Sequence, residues 1–434
     1  MDSATGKTSV MAPFIIMLFL YFIVGLFTVI NQQFQVPLKS AMLPHDGNMT
    51  NALVTLLNFS WFLAYPFSEG FATRWVARLG YRKTSVYSLL IFMAGLGLYE
   101  AAVLLHMYAP SYIVILGNRI FTGFFIFLSG SFVIGIAVTI LQVVTGLYLD
   151  VNPVGKTTPL QRQMIGGTTN SIGMAIGPLV VSYVIFYGIP LHNVQSHEFI
   201  WPVVALIAVI AAITLVTVRT PMPAVDMTGR SATQPTHKSI WSFPQLRLGV
   251  IGIFCYVGVE VAVGANINLY ATSLNTTFAT AATKMAALYW AGILVGRFVG
   301  SVYTKVSSQH QLVYSSIGSI LLLLLAMFFA NPWILVVIGL CHSVMWPAIY
   351  TLALDKLGIY TAKASGALMI GVVGGGVIPL LQGILADALQ GDWRWTWWLV
   401  VAGEIYILYY GISGYKAKSA TGDAGTQRPP SLYK

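Results

Sequence analysis

Long apolar runs, each close to the length that spans a bilayer, recur along the chain with short polar gaps between them. A helix needs about 20 apolar residues to cross the hydrocarbon core. Runs of that kind occupy 12–31, 52–72, 84–106, 112–149, 163–187 and 199–218, and then 247–270, 284–305, 311–330, 332–354, 364–386 and 396–414. Between the two sets lies 219–245, which has Pro, Gly, Ser and Thr but no apolar period, and so reads as a linker. The pattern predicts an all-α polytopic membrane protein of twelve transmembrane helices in two six-helix halves. The expected divisions are an N-terminal half 1–218, a cytoplasmic linker 219–245, a C-terminal half 246–415 and a cytoplasmic tail 416–434.

The run 112–149 does not fit one ordinary span. As a straight helix it would extend about 57 Å, nearly twice the hydrocarbon thickness of about 30 Å. It is expected either to be one bent, extended helix or to break near Ser129-Gly130-Ser131. Two full spans there would invert every later loop.

Charge supports this threading. With the N-terminus inside, the extracytoplasmic segments hold only Lys39, Lys284 and Arg394, and Arg119 and Arg297 fall within helices. The rest of the 23 Lys and Arg lie in cytoplasmic segments or at cytoplasmic helix ends. That asymmetry is the positive-inside signature. Composition agrees, since charged residues make up 8% of the chain and hydrophobic ones 57%, whereas soluble domains carry about a quarter charged residues. The net charge of +10 is spread over short gaps, not gathered on one solvated face, so no nucleic-acid partner is expected. Cys255 and Cys341 both lie in apolar runs, which argues against a disulfide framework. The first run has no small-residue cleavage site and reads as a permanent helix. There is no metal-ligand spacing, Walker loop or nucleophile elbow, so neither a cofactor nor an enzymatic activity is expected.

Polar residues at membrane depth need a reason, because they are expensive there and tend to face a cavity or a partner. Glu260 lies halfway across the seventh span and is the first candidate for a cation-linked carboxylate; the alternatives are a ligand hydroxyl acceptor or a structural tie to a neighbouring helix. Glu100 and Glu404 read as interfacial or packing groups, and Arg119 as a snorkelling residue or a partner of Glu100. Asn31 and Gln32 end the first span, Gln142 lies in the fourth, Asn170 in the fifth, Asn266 follows Glu260 and Gln382 lies in the eleventh. Tyr289, Trp290, Trp346 and Tyr350 supply aromatic faces. Amides and a carboxylate for hydroxyls, with aromatic faces for C–H surfaces, form the recognition chemistry of a sugar. Individually these amides can equally hold helices together. Their presence in both halves at middle depth points to a central polar site.

At these residues the chain resembles the fucose–galactose–glucose:proton symporters, a branch of the major facilitator superfamily. The matching stretches are 256–261 (Tyr-Val-Gly-Val-Glu-Val), 289–301 and 378–387, with weaker matches at 346–350, 28–31 and 170–171. The resemblance implies that fold, a hexose-like substrate and proton coupling. Its departures are specific. Gln32 follows Asn31 where the family often has an aspartate implicated in proton coupling, Gly146-Leu147 replaces an Asn-Pro, His342 stands where Asn is usual, and Ala77 stands where the loop acid is usual. Glutamine does not titrate, which leaves Glu260 as the expected coupling carboxylate. A carboxyl group in a low-dielectric surround favours its neutral form, which suits a proton switch. The resulting expectation is a monomeric inner-membrane importer working by alternating access. Sodium coupling, uniport, another cargo (amino sugar, uronate, muropeptide or nucleoside) and a non-transporting sensor stay open at this point.

Overall fold

A computed structural model describes residues 11–43, 49–115, 118–223, 239–302 and 306–416. Most of the expected linker and tail, and with them Lys7, Arg230, Lys238, Lys305, Lys418, Arg428 and Lys434, lie outside the described residues. Before the linker come α1 (Met11–Gln33), α2 (Gln35–Met42), α3 (Thr50–Tyr108), α4 (Thr122–Val151), α5 (Pro159–Leu179) and α6 (Ile200–Arg219). After it come α7 (Pro244–Leu274), α8 (Thr276–Val302), α9 (Ser308–Phe329), α10 (Trp333–His342), α11 (Met345–Leu354), α12 (Thr361–Ile370), α13 (Gly374–Ala388) and α14 (Trp397–Tyr409). Among the described residues, ten helical segments are long and apolar enough to cross a membrane, with α3 counted once. Large apolar side chains such as Phe67 (65% exposed), Trp201 (74%), Phe298 (73%) and Phe328 (74%) cover the outside. Water would penalise that surface, whereas lipid solvates it.

The helix breaks follow from backbone chemistry. Continuous at 59 residues, α3 would be about 89 Å long at 1.5 Å per residue. Gly80, with φ 78° and ψ 169°, interrupts its helical geometry inside the basic Arg78-Leu-Gly-Tyr-Arg-Lys83 segment. A residue with a Cβ resists that φ, so glycine is what lets the chain reverse here. Pro37 has no N–H for the Gln33 carbonyl, and the first helix breaks at Phe34. Pro347 likewise leaves the Ser343 carbonyl without its helical donor, separating α10 from α11. In the eleventh run a 3₁₀ turn (Gly371–Val373) precedes α13, which contains Pro379.

The 112–149 run takes neither expected form. Tyr112–Ile115 and Asn118–Phe121 form an antiparallel hairpin, β1 and β2, with Tyr112 opposite Phe121. The helix that follows, α4, has 30 residues and passes through Ser129-Gly130-Ser131 without a break. Removing the β-rich, aromatic Tyr112–Phe121 stretch from the count brings the remainder close to one span. Arg119 therefore lies in the hairpin and not in a helix, with its guanidinium 5.2 Å from the Tyr112 ring centroid. We call the end of the bundle bearing this hairpin the hairpin end, and the opposite one the linker end.

At the linker end, Arg162 is buried and binds the end of α4. Its Nε donates to the Leu149 carbonyl (2.6 Å), Nη2 to Asp150 (2.9 Å) and Nη1 to Thr157 (2.7 Å). Such carbonyls lack helical donors, and a cation suits the negative end of the helix dipole. Arg162→Ala leaves three carbonyls short of a donor and is expected to cost about 3 kcal/mol, read as a lower unfolding temperature in lipid or detergent.

Glycines set how the two groups of helices meet. A Cβ on Gly376 would stand 2.7 Å from Cα of Phe59, and one on Gly374 only 2.0 Å from the Phe254 carbonyl oxygen. One face of α13 thus lies against α3 and another against α7 with no side chain between the backbones, the small-residue contact that membrane helices use for close approach.

Candidate central polar site

The centre of the C-terminal helices is a hydrogen-bonded cluster around Glu260. Its carboxylate Oε1 accepts from the Tyr256 hydroxyl at 2.7 Å, one helical turn earlier on α7. Tyr289 of α8 reaches the Glu260 backbone carbonyl at 3.0 Å. Arg297, also on α8, lies within electrostatic reach of the Glu260 carboxylate and hydrogen-bonds Tyr256. The same guanidinium donates through Nη1 to Ser171 of α5 at 2.6 Å, so it joins the C-terminal helices to the N-terminal ones. Trp346 tilts against Tyr256 at 6.3 Å between centroids and stacks on Tyr350 at 6.5 Å. Trp290 is buried beneath Gly264, where any larger residue would strike the indole, and its Nε1 has no hydrogen-bond partner among the described residues.

The amides divide into engaged and free groups. Asn31 Oδ1 accepts from Tyr99 and Ser131, each at 2.9 Å, inside the N-terminal helices. Gln142 Oε1 accepts from Tyr65 at 3.2 Å, and Asn170 Nδ2 donates to the Tyr21 carbonyl at 3.0 Å. Asn266 Nδ2 donates to Gln382 Oε1 (2.9 Å), and Gln382 in turn donates to Thr396 (3.0 Å). Gln32 is different: it is 1% exposed, and neither of its amide atoms has a partner among the described residues. Gln35, Asn266 Oδ1 and Asn268 Oδ1 share that condition. A buried polar group without a partner costs roughly 1–3 kcal/mol. Those on α1, α2 and α7 are polar groups whose hydrogen bonds the described side chains do not complete.

Toward the hairpin end, polar contacts tie the N-terminal helices to the C-terminal ones. Gln33 donates to the Gly264 carbonyl (3.2 Å) and accepts a short hydrogen bond from Asn268. Asp387, at the end of α13, accepts from the backbone N–H of Asn51 (3.1 Å) and Ala52 (2.7 Å) and from Asn51 Nδ2 (2.8 Å). Lys39 donates to Asn51 Oδ1 at 2.6 Å. The carboxylate therefore caps the start of α3 from the other side of the interface. Above these contacts lies a cavity of about 430 Å³ whose lining includes Lys39, Asn51, His192, Thr272, Ser273 and Trp393. Its size falls in the roughly 300–1,000 Å³ range of small-molecule sites. No group of His, Cys, Asp and Glu among the described residues could hold a metal ion.

Of the residues singled out in the sequence, Glu260, Tyr289 and Trp346 belong to one cluster, and Asn266 and Gln382 to one hydrogen-bonded pair. Asn31, Gln142 and Asn170 each bond within the N-terminal helices. The cluster also contains Tyr256, Arg297, His342 and Glu404. Tyr256 stands four residues before Glu260, a helical neighbour spacing that was visible in the sequence. The inter-helix roles of Arg297 and Asp387 carried no such signal, because they depend on how separate spans meet.

Comparisons with known proteins give relatives over most of the chain. The chain is 28% identical over 392 residues to a glucose/galactose transporter of Brucella abortus, covering 88% of this chain and 90% of that one. It is 26% identical over 417 residues to a putative glucose/galactose transporter of Helicobacter pylori, covering 92% and 95%. A shorter match, 27% over 202 residues, is to the L-fucose-proton symporter of Escherichia coli, 43% of this chain and 45% of that one. In fold it resembles the crystal structure of the E. coli fucose:proton symporter (TM-score 0.62, 19% identity, 93% of this chain and 98% of that one). It also resembles that of a D-xylose-proton symporter (TM-score 0.68, 11% identity, 94% and 99%). The Major Facilitator Superfamily pattern matches residues 11–378. The chain is an integral membrane protein and belongs to the Major Facilitator Superfamily.

Proposed function

We propose that this protein imports a hexose of the glucose or galactose class across a bacterial inner membrane, by alternating access and driven by protons, with Glu260 as the proton-carrying group. Dividing α3 at Gly80 and counting α14 with its π-helical extension to Gly414 as a span brings the ten segments to twelve. The basic residues then put both termini and the 219–245 linker in the cytoplasm and the hairpin end outside. The halves 1–218 and 246–415 rock about the central site as a monomer. The substrate class comes from the relatives, which match most of the chain.

The observation that carries the reading is the set of buried amide atoms without partners among the described residues: both of Gln32 on α1 and of Gln35 on α2, and the Oδ1 atoms of Asn266 and Asn268, which follow Glu260 on α7. Sugar hydroxyls donate and accept, as amides do, so a bound hexose completes both sets of hydrogen bonds. The stacked Trp346 and Tyr350 supply faces for the sugar's C–H surface, and the Trp290 indole N–H, without a partner among the described residues, supplies a donor. Gln32→Leu keeps the volume and removes both polar atoms. It is expected to weaken galactose binding to the purified protein about tenfold or more, the scale of one lost buried hydrogen-bonding group. Unchanged affinity would remove Gln32 from the site.

A further inference from the structure

His342, the last residue of α10, and Glu404, in α14, are both fully buried, and the Glu260 chemistry above makes no use of them. His342 Nε2 lies 2.7 Å from Glu404 Oε1, and His342 Nδ1 lies 2.7 Å from the Tyr289 hydroxyl. Ser319 of α9 donates to the same Glu404 oxygen at 2.8 Å. Tyr289 also reaches the Glu260 carbonyl, and Tyr256, which donates to the Glu260 carboxylate, lies 3.1 Å from the His342 carbonyl. The pair is thus wired to Glu260 from two sides.

Counting hydrogens gives the pair two states. Tyr289 has one hydroxyl hydrogen and two neighbours that can accept it. With Glu404 ionised and His342 neutral, the ring hydrogen on Nε2 points at Glu404. Nδ1 is then an acceptor, and it takes the Tyr289 hydrogen, leaving the phenol oxygen facing the Glu260 carbonyl with nothing to donate. With one proton more, a hydrogen lies between Nε2 and Oε1 and a second sits on Nδ1. Nδ1 now donates to the Tyr289 oxygen, and Tyr289 donates to the Glu260 carbonyl. Both short Tyr289 contacts are satisfied together only in this second state. Glu404 Oε2 has no hydrogen-bond partner among the described residues, which is costly for a buried charged oxygen and tolerable for a neutral carboxyl.

We propose that the His342–Glu404 pair is a second proton-binding site of the carrier, taking up one proton and passing its state to Glu260 through Tyr289. The proposal rests on the reading of Glu260 as proton carrier. The titratable and charged groups facing the pair are Glu260, Tyr256 and Cys255 on α7, Tyr289 on α8 and Cys341 on α10; Arg297 of α8 acts on Glu260, Tyr256 and Tyr289, and α9 contributes the Ser319 hydroxyl.

The test is an infrared difference titration, acid against alkaline, of the full-length protein in lipid vesicles without sugar. Two separate buried-carboxyl signals are expected, one lost in Glu260→Gln and the other in Glu404→Gln. Tyr289→Phe breaks the link, so the Glu260 midpoint shifts while the Glu404 signal persists. Ser319→Ala keeps the Glu404 signal and shifts its midpoint, a readout that survives if Glu404→Gln does not fold. A single signal lost only in Glu260→Gln, with no change in Ser319→Ala, would overturn the second site. A Glu260 midpoint unmoved in Tyr289→Phe would overturn the link. Because no sugar is present, a failure of proton-coupled transport shows separately, as absent gradient-driven uptake by the wild type.

Discussion

Glu260→Gln is expected to abolish proton-driven accumulation of sugar while leaving sugar exchange across the membrane. Glutamine keeps the side-chain volume and an oxygen that can accept from Tyr256, so the cluster of Tyr256, Tyr289 and Trp346 retains its shape. What disappears is the ability to gain and lose a proton. One pH unit across the membrane is worth about 1.4 kcal/mol, which supports at most about tenfold accumulation for one proton per sugar. The variant's internal-to-external ratio should fall to one under that gradient, while counterflow of labelled against unlabelled sugar continues. Removing the carboxylate also leaves the half-buried Arg297 without its acidic neighbour, and an uncompensated charge away from water is destabilising. The double variant Glu260→Gln/Arg297→Gln is therefore expected to recover thermal stability without recovering accumulation. Accumulation at the wild-type ratio in Glu260→Gln would remove this residue from coupling.

The second large effect is expected at Asp387. Its carboxylate takes three hydrogen bonds from Asn51 and Ala52 at the first turn of α3, where backbone N–H groups lack helical partners and the dipole favours an anion. Because α13 and α3 lie on opposite sides of the central interface, this cap forms only while the hairpin end is closed. Asp387→Ala is expected to cost that closed state about 2–3 kcal/mol, the scale of a lost charge-assisted interaction. The open population should rise by roughly 30- to 150-fold while it remains the minor state. Leu269, in the wall of the hairpin-end cavity and only 4% exposed, is a reporter for that opening. In a background lacking Cys255 and Cys341, a Leu269→Cys probe should be alkylated by a membrane-impermeant reagent at a correspondingly faster rate once Asp387 is changed. An unchanged rate would mean that the cap is not part of closure.

The membrane architecture was legible because it is written in composition and period. Lipid demands apolar spans and internally satisfied backbones, and so the apolar runs could be read along the chain, whereas the break at Pro347 fell inside the run 332–354 and was not foreseen. The 112–149 run misled because apolar β-branched and aromatic residues such as Tyr112, Ile113, Val114 and Ile115 satisfy hydropathy as well in a hairpin as in a helix. Glu260 stood out for its depth alone. The partners of that carboxylate did not, since Arg297 near a helix end fits a gating ion pair or a plain solvated anchor equally well, and Glu404 an interfacial or packing group. Only the crossing of α7, α8, α10 and α14 brings them together. Asn31 shows the converse, a polar residue at the expected depth whose oxygen is already taken by Tyr99 and Ser131.

The most direct test of proton-coupled sugar import is uptake of labelled galactose by the purified protein in sealed lipid vesicles, under an imposed proton gradient, a sodium gradient or neither. Accumulation above equilibrium with the proton gradient alone, collapsed by a protonophore, is the predicted result. Accumulation driven by sodium, or equilibration without accumulation under every gradient, would contradict it.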